Sequence, residues 1–573
     1  MGATAAVHPA TLSAPALFAT ALSAAALFAA TALPATALHP ALLAATTLPT
    51  TALHPALSAA TTLPAASALP AAAALHPALP AAATLHPALH PAALHSPALY
   101  PPALLATRSD RLKYLLSPAG SAPSGRACQA ATPPMQLRSH QRTSLRVTLN
   151  AIPGLIDPAH GPILALQPRL AGPGDPGFAH VHAWAGSTLQ RRGRPSCLRA
   201  GGSALTWPQA LVKAVGESVE RYSVLHWEPR VHLAQASALD AQIDMRSYDL
   251  FHSEQRAAPG FAFSSADEHA RMSWVEAFSL THGKASFVPA TLAHLYHQAQ
   301  TEADRFDLCP VSGYACGNTL EEALLGALCE VIERDALMIA WYQRLAVPSL
   351  DLASMASGEV RDAVQRYARS PVRLYCANLT TDIGIPAVLV MMTSQHPGWP
   401  AAAVATAADM SVERAVVKAL CELSAGHWLV RGRGRRPRSM LEVQEPEDHG
   451  LFYAAPSALH HLDRFLRPRS SLRAAQLAAA PATDDVKVLL DEAVRRLAAR
   501  GLETLAVELS APEVAAQGLH VVKVIVPGLQ PLDFGATTKH LGGSRLYSAP
   551  HAMGYRCAAS GPAGLNPVPH PFP

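Results

Sequence analysis

The chain has 573 residues, half of them hydrophobic, and a net charge of +4. That length suits two to four average domains with a large core, and so small a charge gives no basis for a nucleic-acid or anionic-membrane partner. Its eight cysteines form no C-x-x-C pair and no Cys/His set at zinc-ligand spacing, which disfavours a structural zinc or disulfide framework and favours a reduced, cytoplasmic protein.

Residues 1–107 contain no Asp, Glu, Lys or Arg. Leu-His-Pro-Ala-Leu recurs there at Leu38, Leu53, Leu75 and Leu85, too irregularly for a solenoid. Frequent proline forbids long helices and inner strands, so the segment reads as low-complexity and disordered, or as leader DNA translated ahead of a downstream start. Ala16 to Leu33 is a proline-free apolar run, but alanine dominates it and no basic flank precedes it, so neither a membrane span nor a signal peptide is preferred. Residues 108–149, rich in Ser, Pro and Arg, read as a linker, and residues 150–573 as an α/β domain.

Within that domain one pattern occurs twice. Ala214-Val-Gly-Glu217-Ser-Val-Glu220-Arg221 is echoed by Ala327-Leu-Cys-Glu330-Val-Ile-Glu333-Arg334, and Ala419-Leu-Cys-Glu422 begins a third copy that diverges. From Glu321 to Leu345 the only Gly or Pro is Gly326, and apolar residues surround the stretch, so a long buried helix is expected. Glu330 and Glu333 then share one face, with Cβ atoms roughly 5–6 Å apart. Buried carboxylates need partners, and Mg2+, which takes oxygen ligands and shares them with phosphates, is a suitable one. A single E-x-x-E-R is common on solvated helices; two copies in the same apolar frame favour the site.

Further along, Val372 to Asn378, Ala387 to Met392 and Leu519 to Val526 read as strands, the last buried on both faces. Asp485 to Arg500 reads as an amphipathic helix capped by Gly501. The basic run from Arg431 to Arg438 reads as a solvated loop. The chain ends Asn566-Pro-Val-Pro-His570-Pro-Phe-Pro573, a stiff polyproline-like tail with little entropy to lose on docking. No P-loop, G-x-S-x-G elbow or H-E-x-x-H is present.

These segments resemble the YcaO family over about residues 201–573. Ala204 to Ser223 is similar to the family's first nucleotide motif, and Ala315 to Ala336 to its second. Trp274 to Leu280 with Val288-Pro289 is similar to its central hairpin, and Val526-Pro-Gly-Leu529 with Phe534-Gly535 to its final strand and turn. The resemblance implies a YcaO-type ATP-binding α/β fold of mixed sheets and packed helices. It implies Mg2+ ligation by Glu217, Glu220, Glu330 and Glu333, and nucleotide contacts from Asn318, Glu322, Arg334 and Arg221. A terminal P-x-P-x-P marks azoline-forming members, so ATP-dependent cyclodehydration of a ribosomal precursor peptide is implied, with Pro573 or His570 assisting proton transfer. A separate leader-binding partner similar to a ubiquitin-activating-type protein is implied, and a homodimer is allowed. The alternatives are thioamide or amidine formation, or a non-catalytic adaptor. The chain departs from the family pattern at Ser203, Lys213, Ala425 and Leu429, each beside a motif.

Overall fold

In the computed structural model, which describes residues 135–187, 197–241, 243–431, 436–477, 481–535, 538–556 and 559–573, the strands form three sheets. The expectations for residues 1–107, the 108–134 part of the expected linker, and residues 432–435 of the basic run lie outside the described residues. Strands β1 (Ile163–Arg169), β2 (Ala179–Ser187) and β3 (Cys197–Ala204) form an antiparallel meander. Then follow β4 (His232–Ala234), β5 (Met272–Ser279), β6 (Lys284–Pro289) and β7 (Tyr314–Gly317). A mixed sheet comes next from β8 (Ser349–Asp351), β9 (Arg373–Asn378), β10 (Ala387–Thr393), β11 (Ala402–Ala408) and β12 (Ser471–Arg473), in the order β11-β10-β9-β8-β12 with β12 parallel to β8. The last strands, β13 (Leu505–Glu508) and β14 (His520–Ile525), return to complete the sheet β4-β5-β13-β14-β7. Strands β5 and β6 make the expected hairpin, with Trp274 opposite Pro289. The strands expected near 372–378, 387–392 and 519–526 are β9, β10 and β14.

Helix α1 (Leu145–Leu155) crosses the expected linker boundary at 149/150, and Ser144 is its N-cap. Three longer helices follow: α2 (Trp207–His226), α3 (Leu320–Tyr342) and α4 (Val412–Arg431). The all-round apolar surface of α3 has a clear use. One side packs on β7 and β14, and another on the third sheet. Strand β10 shows the same economy: Leu389 and Met391 join the core around α3, while Val388, Val390 and Met392 join the core around α4. A strand covered on both faces needs no polar alternation. Shorter helices α5 (Pro446–Tyr453), α6 (Val486–Ala498) and α7 (Ser544–Ala552) close the domain. Asp485 caps α6, and Gly501, with φ of 73°, terminates its turn.

Packing between α2 and β3 is close enough to demand glycine. A Cβ on Gly202 would stand 2.0 Å from the Ala210 carbonyl oxygen. At the far end of α3, buried Asp335 accepts from Arg545 on α7 at 2.8 Å, and Arg545 also reaches Asp382 at 2.9 Å. Arg545→Leu would strand the Asp335 charge in the core. It is expected to cost about 3–5 kcal/mol, read as a lower urea midpoint.

Candidate functional site

Helix α2, which packs on β3 and β7, places Glu217 and Glu220, three residues apart, on one face. One Glu217 oxygen accepts from the Gly201 N–H at 2.7 Å, and the other pairs with Arg221. Glu220 has no hydrogen bond or ion pair among the described residues. Burial, and then the charges of Glu330 and Glu217, push its pKa well up, against the weaker pull of Arg221 and Lys523.

Helix α3 supplies the opposing pair. The Gly313 N–H donates to Glu330 at 3.0 Å, and Arg334 reaches its other oxygen at 3.3 Å. Gly313 sits at φ of 87°, where a Cβ would meet the Val524 carbonyl oxygen at 2.5 Å. Only glycine allows that approach. Glu333 is buried and accepts from Arg334 at 2.7 Å and from the Thr406 hydroxyl at 2.5 Å. Helix α4 contributes Glu422 and Lys418. Burial works against the Lys418 charge, yet Glu422 and Glu333 together outweigh it and raise its pKa. Burial raises the Glu422 carboxyl, with Lys418 opposing and Glu333 adding.

The two glutamate pairs are linked through Glu330, which acts electrostatically on Glu220 and Arg334 alike, and Arg334 also pairs with Glu333. Among the described residues no three groups already close into a metal cage. The donors nevertheless fit Mg2+: they are hard oxygens, one of them lacks any protein partner, and Mg2+ commonly takes only one or two carboxylates beside phosphate oxygens. The surrounding cations, Arg221, Arg334, Lys418 and Lys523, suit a polyphosphate.

Asn318 and Glu322 lie at the start of α3, hydrogen-bonded to each other at 3.2 and 3.3 Å. The tail is pinned over the same helix. Trp341 Nε1 donates to the Val568 carbonyl at 2.8 Å, Tyr453 to that of Pro569 at 2.6 Å, and Lys539 to that of Pro567 at 2.7 Å. The Phe572 ring covers the Arg334 guanidinium at 4.1 Å, a cation–π contact. Pro573 is half-buried beside it.

His570 is 2% exposed; its Nε2 donates to the Asp533 carbonyl at 2.7 Å and its ring stacks on His449 at 3.9 Å. Burial holds His449 down to about 4, and burial and His449 hold His570 well below the usual imidazole range. Both are therefore neutral when docked. A histidine with a depressed folded pKa costs stability as pH falls below 6.5, because the undocked form binds more protons. Tail docking is expected to weaken from about pH 6 towards pH 4, seen as faster carboxypeptidase trimming.

Two of the departures, Ser203 and Lys213, meet in space. Ser203 donates to the Cys421 carbonyl at 2.6 Å and meets the Ser424 hydroxyl at 2.9 Å. Lys213 donates to the Ser203 carbonyl at 3.0 Å, and its charge acts on Glu422. A lysine therefore reaches this corner from α2, while β3 offers a serine. Ala425 is half-buried on α4; the Leu429 side chain lies outside the described residues.

Sequence reading passed over Lys523, Lys418 and Thr406. Lys523 is buried, donates to the Pro310 and Ser312 carbonyls at 2.6 Å each, and is held down by burial, with Glu330 and Glu220 opposing. A lone lysine inside the apolar run of β14 was the available signal. Lys418 stands four residues before Glu422, a pairing distance on one helix face.

The family model described as YcaO cyclodehydratase, ATP- and Mg2+-binding, matches residues 201–530. An uncharacterized Rhizobium leguminosarum bv. trifolii protein encoded 3′ of tfuA is 34% identical over 122 residues, covering 21% of this chain and 29% of that protein. An uncharacterized Mycobacterium tuberculosis protein is 32% identical over 213 residues, covering 35% and 46%. The chain thus matches less than half the length of either relative. A Methanothermobacter thermautotrophicus protein is 26% identical over 337 residues, covering 57% and 81%. Among solved structures, a heterocyclase in complex with substrate and cofactor superposes with a TM-score of 0.65 at 24% identity, over 77% of this chain and 59% of that one. The heterocyclase TruD gives 0.55 at 23%, over 77% and 56%. These likenesses show a shared fold. With more than half its length matched, and with the paired glutamate helices within the matched region, the chain belongs to the YcaO family, whose cofactors are ATP and Mg2+.

Proposed function

We propose that the chain is an ATP-dependent cyclodehydratase that converts Cys, Ser or Thr residues of a ribosomal precursor peptide to azolines. The observation that carries this reading is Glu220: an unpartnered carboxylate raised by burial and by its neighbours, facing Glu330 from a second helix of the same pattern. Such a group is costly unless a cation arrives. In this reading Glu217, Glu220, Glu330 and Glu333 hold Mg2+, and Asn318, Glu322, Arg221 and Arg334 contact the nucleotide. Bound Mg2+ supplies charge neutralisation on the triphosphate.

The peptide thiol or hydroxyl attacks the preceding carbonyl carbon, and the resulting oxyanion takes the γ-phosphoryl group from ATP. Loss of the attacking group's proton and the amide proton, with departure of phosphate, leaves the ring, ADP and inorganic phosphate. In this reading Arg334 donates to the developing phosphoryl charge, and the tail ring over it shields that donor from water. Pro573, next to Phe572, is the proposed proton acceptor; His570, clamped between Asp533 and His449, positions it.

Partner requirements follow the same reading. A separate leader-binding protein resembling a ubiquitin-activating-type protein delivers the precursor, and a homodimer is compatible. The cytosol suits the five described free cysteines, Cys309, Cys316, Cys329, Cys376 and Cys421. Among the described residues no helix is long and apolar enough to cross a membrane.

The test mixes the protein and its partner with a Cys/Ser/Thr-rich precursor and Mg-ATP, then weighs the peptide. A loss of roughly 18 Da per ring with matching phosphate release supports cyclodehydration. A gain matching sulfur-for-oxygen exchange would make it a thioamide enzyme. An unchanged mass with no nucleotide bound would make it an adaptor.

A further inference from the structure

Residues upstream of the family-matched region reach into the site. Thr148 on α1 is 3% exposed and donates its hydroxyl to Asn318 Oδ1 at 2.6 Å. A helical threonine usually satisfies its hydroxyl on the carbonyl four residues back; this one goes to a residue 170 positions away. An amide whose oxygen is held on one side presents its NH2 on the other. There Asn318 Nδ2 donates to Glu322 Oε2 at 3.3 Å, beside its own backbone N–H at 3.2 Å.

The second Glu322 oxygen accepts from the Thr143 N–H at 2.6 Å. One turn away, His140 Nε2 contacts Thr319 Oγ1 at 2.9 Å and Glu321 at 3.2 Å, and the Arg138 N–H donates to Glu321. The segment from Arg138 to Thr148 therefore braces the first turn of α3 from outside.

We propose that Thr148 is a positioning residue for nucleotide binding, its hydroxyl fixing the Asn318 amide so that Asn318 and Glu322 face the nucleotide as one unit. This rests on the assignment of Asn318 and Glu322 to nucleotide contact made above. Without the hydroxyl, the half-buried Asn318 oxygen loses its donor, and the amide turns to recover one.

The experiment compares the full-length protein with Thr148→Val, which keeps the shape, and Thr148→Ser, which keeps the hydroxyl. Phosphate release gives the KM for ATP and kcat, and calorimetry gives Mg-ATP affinity without turnover. Thr148→Val is expected to raise the ATP KM and Kd about tenfold, the scale of one lost hydrogen bond with its acceptor left unpaired, with kcat at saturating ATP within about twofold, and Thr148→Ser is expected to restore both. Thr143→Pro, which removes the N–H on Glu322 and fixes the local φ, should show the same KM signature should Thr148→Val melt early. Unchanged ATP affinity in both variants, or equal losses in the Val and Ser forms, overturns the proposal while leaving the site assignment standing. A wild-type protein that binds no Mg-ATP overturns both.

Discussion

Glu330→Gln and Glu220→Gln are each expected to abolish ring formation, lowering kcat by at least about a thousandfold, the loss seen when a preorganised charge-stabilising group is removed. Phosphate release with precursor peptide reads it. The two should part company in stability without nucleotide. Glu330 accepts from Gly313 and Arg334, so its replacement loses partners. Glu220 has none and faces like charge. Its pKa is raised above 4.5 in the fold, so its cost is absent below that pH and grows towards neutrality. Glu220→Gln should therefore stabilise the nucleotide-free protein by about 1 kcal/mol at pH 7, with the gain vanishing near pH 4. Destabilisation by Glu220→Gln at pH 7 would mean that the carboxylate has a partner and would remove the proposed cation-binding role of Glu220.

Removing Pro571, Phe572 and Pro573 should be nearly as damaging to chemistry, yet mild for the fold. The hydrogen bonds from Trp341, Tyr453 and His449 to the tail, and that from His570 to Asp533, survive this deletion. What is lost is the ring over Arg334 and the group beyond it. Ring formation is expected to fall by about two orders of magnitude, the range for removing a positioned proton-transfer group, with Mg-ATP affinity changed less than about threefold. Phe572→Leu separates the two contributions, because it keeps Pro573 and removes only the cation–π contact. Its expected cost is about fivefold, in line with a partly desolvated contact. Normal ring formation by the three-residue truncation would remove the tail from the mechanism.

Much of the fold was legible because periodicity carries it. The long helix expected over Glu321 to Leu345 is α3, the capped helix ending at Gly501 is α6, and the apolar runs became β9, β10 and β14. The run from Asn150 onward was less so. Helix α1 begins inside the segment expected to be a linker, because its support comes from Asn318 and α2, not from its own sequence.

The sequence by itself determined the carboxylate pairs, since a three-residue spacing on a helix leaves no choice of face, and repetition in an apolar frame marked them as more than surface charge. It also determined that the tail would be stiff. Only the tertiary structure decided which charges meet. Lys523 comes from a strand, Thr406 from another sheet, Thr148 from a helix upstream and Phe572 from the end of the chain, and nothing local records those encounters. The physical reason is that helix and strand periods fix direction around an element, whereas the pairing of charges across a cleft is set by how separate layers pack.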